Sequence, residues 1–216
     1  GSIPAAEKSL DRIKTLLSGL GYNECVTYSF ASAADADKLG LPQDDRLRNM
    51  IPIINPLGDE QGYMRTSPLP EMLKAIANNI NRKAKDIKLF ESGRIYLPRE
   101  NEILPDEEKY ILIASCNDDG FLTLKGAVES LLDMFGIGEA KYVAQGARYF
   151  HPGRKASIYS HKDKIGEIGE IHQDIADAFG ISRRVCAAQL SLEKICAAAS
   201  SEAIKYEPLP KYPAVE

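Results

Sequence analysis

The chain has 216 residues, 44% hydrophobic and 27% charged, a composition that suits a soluble globular protein of one large or two small domains with a substantial core. A formal net charge of −4 and a pI of about 5.5 exclude the global basic field of a free-standing nucleic-acid binder. Cys25, Cys116, Cys186 and Cys196 lack CxxC or Cys/His spacing, which argues against structural zinc and a disulfide framework and fits a reducing cytoplasm. Apolar runs fall far short of the roughly 20 residues of a membrane span. The start lacks the pattern of a signal peptide, and Gly1-Ser2 reads as a cloning remnant.

Residues 5–20 read as a helix, with Leu10, Ile13, Leu16, Leu17 and Leu20 on one stripe and Gly19 and Gly21 as the stop. Residues 22–30 have a strand composition, residues 33–39 read as a short helix, and residues 50–54 read as a short edge strand interrupted by Pro52. Asn55-Pro56 and Gly58-Asp59 mark a loop. Ser67-Pro68 and Pro70 start a helix carrying Met72, Leu73, Ile76, Ala77 and Ile80 on one side. It ends near Asn81, where Arg82, Lys83 and Lys85 oppose the negative end of its dipole.

Residues 87–90 and 94–97 form a strand with an irregularity at Gly93, residues 98–108 a charged loop, and residues 110–116 a buried strand. A helix over 122–135 stops at Gly136. Strands follow at 142–144, 156–159 and 164–171, then a short helix at 175–179, a strand at 185–190 and a helix at 192–200. Strands separated by short turns, with helices on an irregular schedule, indicate an α+β domain: a mainly antiparallel sheet flanked by helices.

The order of signals from Ile54 to Leu97 resembles the catalytic core of class II aminoacyl-tRNA synthetases, and in particular the β subunit of phenylalanyl-tRNA synthetase. The residues that carry the resemblance are Asn55-Pro56-Leu57, Met64-Arg65-Thr66-Ser67, the Asn79-to-Arg82 spacing, and Leu89-Phe90-Glu91 with Gly93-Arg94. Supporting segments are Leu124-Lys125-Gly126, His151-Pro152-Gly153-Arg154, Gly166 to His172, and Pro210 to Val215, which resembles the family's PKFPAV. The family has a longer segment than Cys116–Leu122 before its DLKG, often with tryptophan, which this chain lacks.

Three class II motifs can be compared directly. The first, an interface helix followed by a strand, matches at Gly21-Tyr22-Asn23-Glu24-Cys25-Val26-Thr27, with Tyr28 in place of proline. The second places an arginine on the ATP α-phosphate; here Tyr96 and Leu97 stand where Phe-Arg is expected, and Arg99 where an acid is expected. Leucine cannot supply the planar, bidentate charge of a guanidinium. The third motif's arginine is missing, because the two glycines Gly166 and Gly169 lead to His172 with no arginine following. The resemblance therefore implies a degenerate nucleotide cleft without a rigid cation able to clasp a triphosphate.

What the resemblance implies is a structural, α-subunit-binding domain of a phenylalanine–tRNA ligase β subunit. The α2β2 assembly would use ATP and magnesium to load phenylalanine onto tRNA, with catalysis in the α subunit. No cofactor, metal ligand or catalytic residue is expected in this chain itself, and no membrane partner. By analogy with the first motif, Ile13, Leu16, Leu17, Leu20 and Tyr22 are the expected partner interface, and Arg82, Lys83 and Lys85 the candidate contacts to tRNA. Residues 1–209 would be the synthetase-like domain and 210–216 the truncated start of an anticodon-binding domain.

The plainer readings are structural. Arg65 would position the entrance of the helix after it. Arg82, Lys83 and Lys85 would complement a helix end. His151, His161 and His172 are tied to no nucleophile, and Asp106, Glu107 and Glu108 form a solvated charge run. Two other functions stay open: a self-sufficient adenylate-forming enzyme in which Arg94, Arg99 or Arg154 reaches the phosphate, and a tRNA-binding module.

Overall fold

The computed structural model describes residues 5–100, 102–117 and 120–202. Helix α1 (Ala5–Gly19) leads into β1 (Asn23–Glu24), which enters the main sheet parallel to β4 (Ile87–Leu97). Between them lie β2 (Phe30–Ala31), α2 (Ala33–Lys38), β3 (Tyr63–Met64) and α3 (Leu69–Asn81). After β4 come β5 (Asp106–Cys116), α4 (Gly120–Met134), β6 (Ala140–Val143), β7 (Phe150–Ser160) and β8 (Asp163–Ile171). The described chain ends with α5 (Gln173–Ala178), β9 (Cys186–Ser191) and α6 (Leu192–Glu202).

Seven strands form one sheet in the order β1-β4-β5-β9-β8-β7-β6, antiparallel at every junction except β1/β4. The late strand β9 inserts between β5 and β8, so the sheet closes only when the C-terminal part of the chain arrives. This is the α+β architecture expected.

Alternation along the strands creates two cores. Tyr110, Leu112 and Ala114 of β5 pack on one face with Met72, Leu73 and Ile76 of α3 and with Ile175 of α5. Ile111 and Ile113 point to the other face, against Ile13 and Leu17 of α1, Leu124 and Val128 of α4, and Ile195 of α6. A strand covered on both sides reads as an unbroken apolar run, as Tyr110 to Ala114 does. The apolar stripe of α3, spaced three and four apart, is buried from Met72 to Ala77 and partly buried at Ile80.

Four expectations need correction. Strand β4 runs unbroken through Gly93, which pairs with Tyr110 in the β4–β5 register. The strand expected over 22–30 divides: β1 ends at Glu24, residues 25–29 lie along β4 held largely by side chains, and β2 starts at Phe30. Residues 50–54 contribute one isolated bridge, Pro52 to Tyr63, because proline has no N–H to continue a ladder. Strand β7 begins at Phe150 rather than Ala156, with an irregular register between Phe150 and Lys155. The expected domain start at 210–216 lies outside the described residues.

Candidate functional site

Arg65 sits where the β3 segment meets β4. Its backbone N–H donates to Ser29 O at 2.9 Å, and its carbonyl accepts from Tyr96 N at 3.0 Å. The guanidinium donates to Arg94 O (2.9 Å), Thr27 Oγ1 (3.0 Å) and Glu91 Oε1 (3.2 Å). Thr27 in turn donates its N–H (3.0 Å) and its hydroxyl (2.8 Å) to the same Glu91 oxygen. The Arg65 guanidinium carbon also lies 5.2 Å from the Tyr110 ring centroid.

Arg65 and Glu91 are both buried, so each would be costly without the other. Among the described residues, Glu91 Oε2 and the Tyr110 hydroxyl have no hydrogen-bond partner. Burial, reinforced by the charge of Glu91, pushes the Tyr110 phenol well above its ordinary value. Arg65 is thus buried away from solvent and ties the 25–29 segment to β4.

On the α3 face of the sheet, beyond Tyr110, opens a cleft of about 690 Å³. Ile95, Tyr110, Gln189 and Ser191 line it from the sheet, with walls from the 41–47 and 146–149 segments. Cationic side chains reach this cleft from several segments. Arg46, Lys109, Arg148, Lys164 and Lys194 line it, together with Asp44, Asp45, Glu108 and Glu167. Arg46, at the start of a short 3-10 helix (Arg46–Arg48), and Arg148, in a turn, are both exposed. Lys164 is engaged by Glu167, which also accepts from Ala147 N. Cationic and acidic groups are nearly balanced around the cleft, so it does not focus a strong field on a polyanion. Leu97, at the position aligned with the motif-two arginine, is buried in the apolar core.

The three arginines that a self-sufficient enzyme would need are already paired. Arg94 bonds Glu107 at 2.8 Å, Arg154 bonds Glu170 at 2.7 Å, and Arg99 bonds Glu102 at 2.9 Å and Asp106. The hydrogen bond from Arg99 holds the Asp106 carboxyl below its ordinary value. His151 and His172, from separate motifs, come together with ring centroids 6.3 Å apart. Each Nδ1 accepts a backbone N–H, from Gly153 and Asp174 respectively, which makes them turn and cap residues. Among the described residues no three His, Cys, Asp or Glu side chains converge as a metal site, and no helix is long and apolar enough to cross a membrane.

The residues expected at a partner interface are placed unequally. Ile13, Leu17 and Tyr22 are buried in this chain's own core, where Tyr22 bonds Ser115 at 3.0 Å. Leu16 packs partly against that core, and Leu20 is 39% exposed. The stripe on α1 is thus mostly internal packing against α4 and the sheet, and only Leu20 and part of Leu16 stay available to a partner. Exposed apolar side chains occur downstream at Val26 (88%), Tyr28 (67%), Ile54 (92%) and Leu57 (91%), and separately at Ile103, Leu104 and Leu122. The β2–β3 ladder and the Pro52 bridge bring their segments next to one another.

Arg82, Lys83 and Lys85 are exposed at the turn after α3, where Lys83 adopts a left-handed φ of 64°. Their side chains do not cap that turn. Arg183, which no sequence motif singles out, does so by donating to Ala84 O (3.2 Å) and Lys85 O (2.6 Å), and ties the turn to the end of β5 through Cys116 O (3.0 Å).

A family model described as the phenylalanyl tRNA synthetase beta chain CLM domain matches residues 1–192. The chain belongs to that family. Curated relatives include the phenylalanine–tRNA ligase beta subunits of Clostridium tetani, 36% identical over 208 residues, and Geobacter metallireducens, 35% identical over 224 residues. The matches take in 95% and 97% of this chain but only 26% and 28% of those proteins, so the chain spans little more than a quarter of their length. Among solved structures, pyrrolysyl-tRNA synthetase from Desulfitobacterium hafniense superposes with a TM-score of 0.76 at 15% identity, covering 92% of this chain and 70% of that one. That likeness is one of fold: the two chains share the mainly antiparallel sheet flanked by helices.

Proposed function

We propose that this chain is a structural, α-subunit-binding domain of a phenylalanine–tRNA ligase β subunit. In the assembled α2β2 enzyme the α subunit supplies the active site, and the assembly joins phenylalanine to tRNA with ATP and magnesium. The observation that carries the reading is the exposure of Val26, Tyr28, Ile54 and Leu57 on segments that the β2–β3 ladder and the Pro52 bridge join. Large side chains this exposed on neighbouring segments favour burial against a protein partner. The expected interface thereby moves from the inner stripe of α1 to the segment that follows it, with Leu20 at its border.

The reading that this domain does no chemistry is supported by Leu97 at the arginine position and by the pairing of Arg94, Arg99 and Arg154 with carboxylates. A guanidinium already neutralised by a carboxylate has to break that pair before it can hold a phosphate. The exposed Arg82, Lys83 and Lys85 are proposed as a minor contact to the tRNA backbone in the assembled enzyme. The test is phenylalanine-dependent pyrophosphate–ATP exchange, run on the chain alone and mixed with the α subunit. The reading predicts no exchange from the chain alone and co-purification with the α subunit. Exchange by the isolated chain would establish the self-sufficient enzyme instead.

A further inference from the structure

We infer that Arg65, Glu91 and Thr27 form a positioning device for partner docking: a buried ion pair that holds the 25–29 segment extended so that Val26 and Tyr28 face outward. The inference rests on the proposed docking edge and adds what keeps that edge in shape.

The 25–29 segment has little backbone ladder of its own. Cys25 N donates to Phe90 O at 2.8 Å, the last backbone contact carrying β1 along β4. From there to Ser29, whose carbonyl accepts from the backbone N–H of Arg65, the partners of the segment are side chains. Glu91 Oε1 takes both the N–H and the hydroxyl of Thr27. Arg65 Nη1 reaches the Thr27 hydroxyl at 3.0 Å and Tyr28 O at 3.4 Å, while Arg65 N binds Ser29 O. Strand alternation does the rest. Thr27 turns toward the ion pair and Cys25 packs beside Met72, so Val26 and Tyr28, one residue out of phase, face away from the core.

The device is fixed from beneath. Arg65 is bonded to Arg94 O of β4 and lies against the Tyr110 ring of β5, and Gly93 leaves the room that both need. A buried ion pair contributes little net stability compared with apolar residues of the same shape, and its best-attested use is to specify one geometry. Here that geometry is the presentation of an exposed edge in the gap between the β1–β4 and β2–β3 ladders.

The experiment uses Thr27→Val, which removes the hydroxyl while keeping shape and backbone, and Glu91→Gln as the stronger variant. Two quantities are read: amide hydrogen exchange at Cys25, Thr27 and Arg65, with the β5 amides as internal control, and the dissociation constant for the ligase α subunit. Thr27→Val is expected to speed exchange at Thr27 and Arg65 about tenfold, leave β5 unchanged, and weaken association about tenfold. Glu91→Gln, if it folds, does both more strongly. Faster exchange with unchanged affinity, or unchanged exchange in Thr27→Val, overturns the positioning role. Loss of affinity without faster exchange also overturns it. Val26→Ser with Tyr28→Ser separates the two ideas: if that pair leaves affinity untouched, the docking edge itself is wrong, whatever the ion pair does.

Discussion

Gly93 and Tyr110 are paired across β4 and β5, and a Cβ added to Gly93 would stand 2.7 Å from the Tyr110 hydroxyl and 2.5 Å from Arg65 Nη2. The glycine is there because two large side chains cross over it, not because the strand turns. Its φ is ordinary, so the cost of a side chain is steric.

Gly93→Ala is therefore expected to destabilise the chain by about 1–3 kcal/mol, the usual penalty of overpacking a filled core. Gly126 is the control. It lies inside α4 with open space where a methyl group would point, nothing standing within 4 Å, so Gly126→Ala is expected to stabilise by about 0.5–1 kcal/mol. Urea titrations of both variants check the opposite signs.

Arg183 closes the turn after α3 by hydrogen bonds to Ala84 O and Lys85 O and ties it to the end of β5 through Cys116 O. Arg183→Ala should cost about 1–3 kcal/mol, because it strands partly buried acceptors. Its neighbour Arg184 is 76% exposed and lies 3.9 Å from Glu170, so Arg184→Ala should change stability by less than about 0.5 kcal/mol. Equal effects at the two positions would mean that the turn does not depend on this clamp.

Among the groups whose titration burial shifts upward, two thiols contribute to an alkaline limit. Burial, then the charge of Glu91, pushes Cys25 from 9.0 up to about 11; burial, then Glu170, pushes Cys186 up to about 12. The folded state disfavours both thiolates, while the unfolded chain ionises near the ordinary value. Stability is therefore full below about pH 9 and falls as pH rises toward about 12. Denaturant midpoints measured from pH 7 to 11 should be flat at first and then decline, with the decline reduced in Cys25→Ala. A midpoint that falls steadily from pH 7 would contradict the assignment.

Much of this fold is legible from residue spacing. The stripe of α3, its proline start and the stop of α4 at Gly136 are local signals, and the elements lie where those signals put them. The insertion of β9 between β5 and β8 is not legible, since nothing local in Cys186–Ser191 names its partners. Arg183 escaped for the same reason: its acceptor Lys85 is 98 residues away. On α1 the stripe of Ile13 and Leu17 is real, but periodicity says only that a helix face is buried, not against what. Val26 and Tyr28 read as strand residues, and only the inward bonds of Thr27 show which side of that strand meets solvent. The cations Arg46 and Arg148 reach the cleft through tertiary folding, so alignment with motifs could not find them.

The measurement that bears most directly on the docking role is the affinity of this chain for the ligase α subunit, before and after Val26→Ser with Tyr28→Ser. The unmodified chain should form a stable complex, and the double variant, still folded by circular dichroism, should bind about a hundredfold more weakly. No complex with the unmodified chain, or equal affinity for both, would contradict the account.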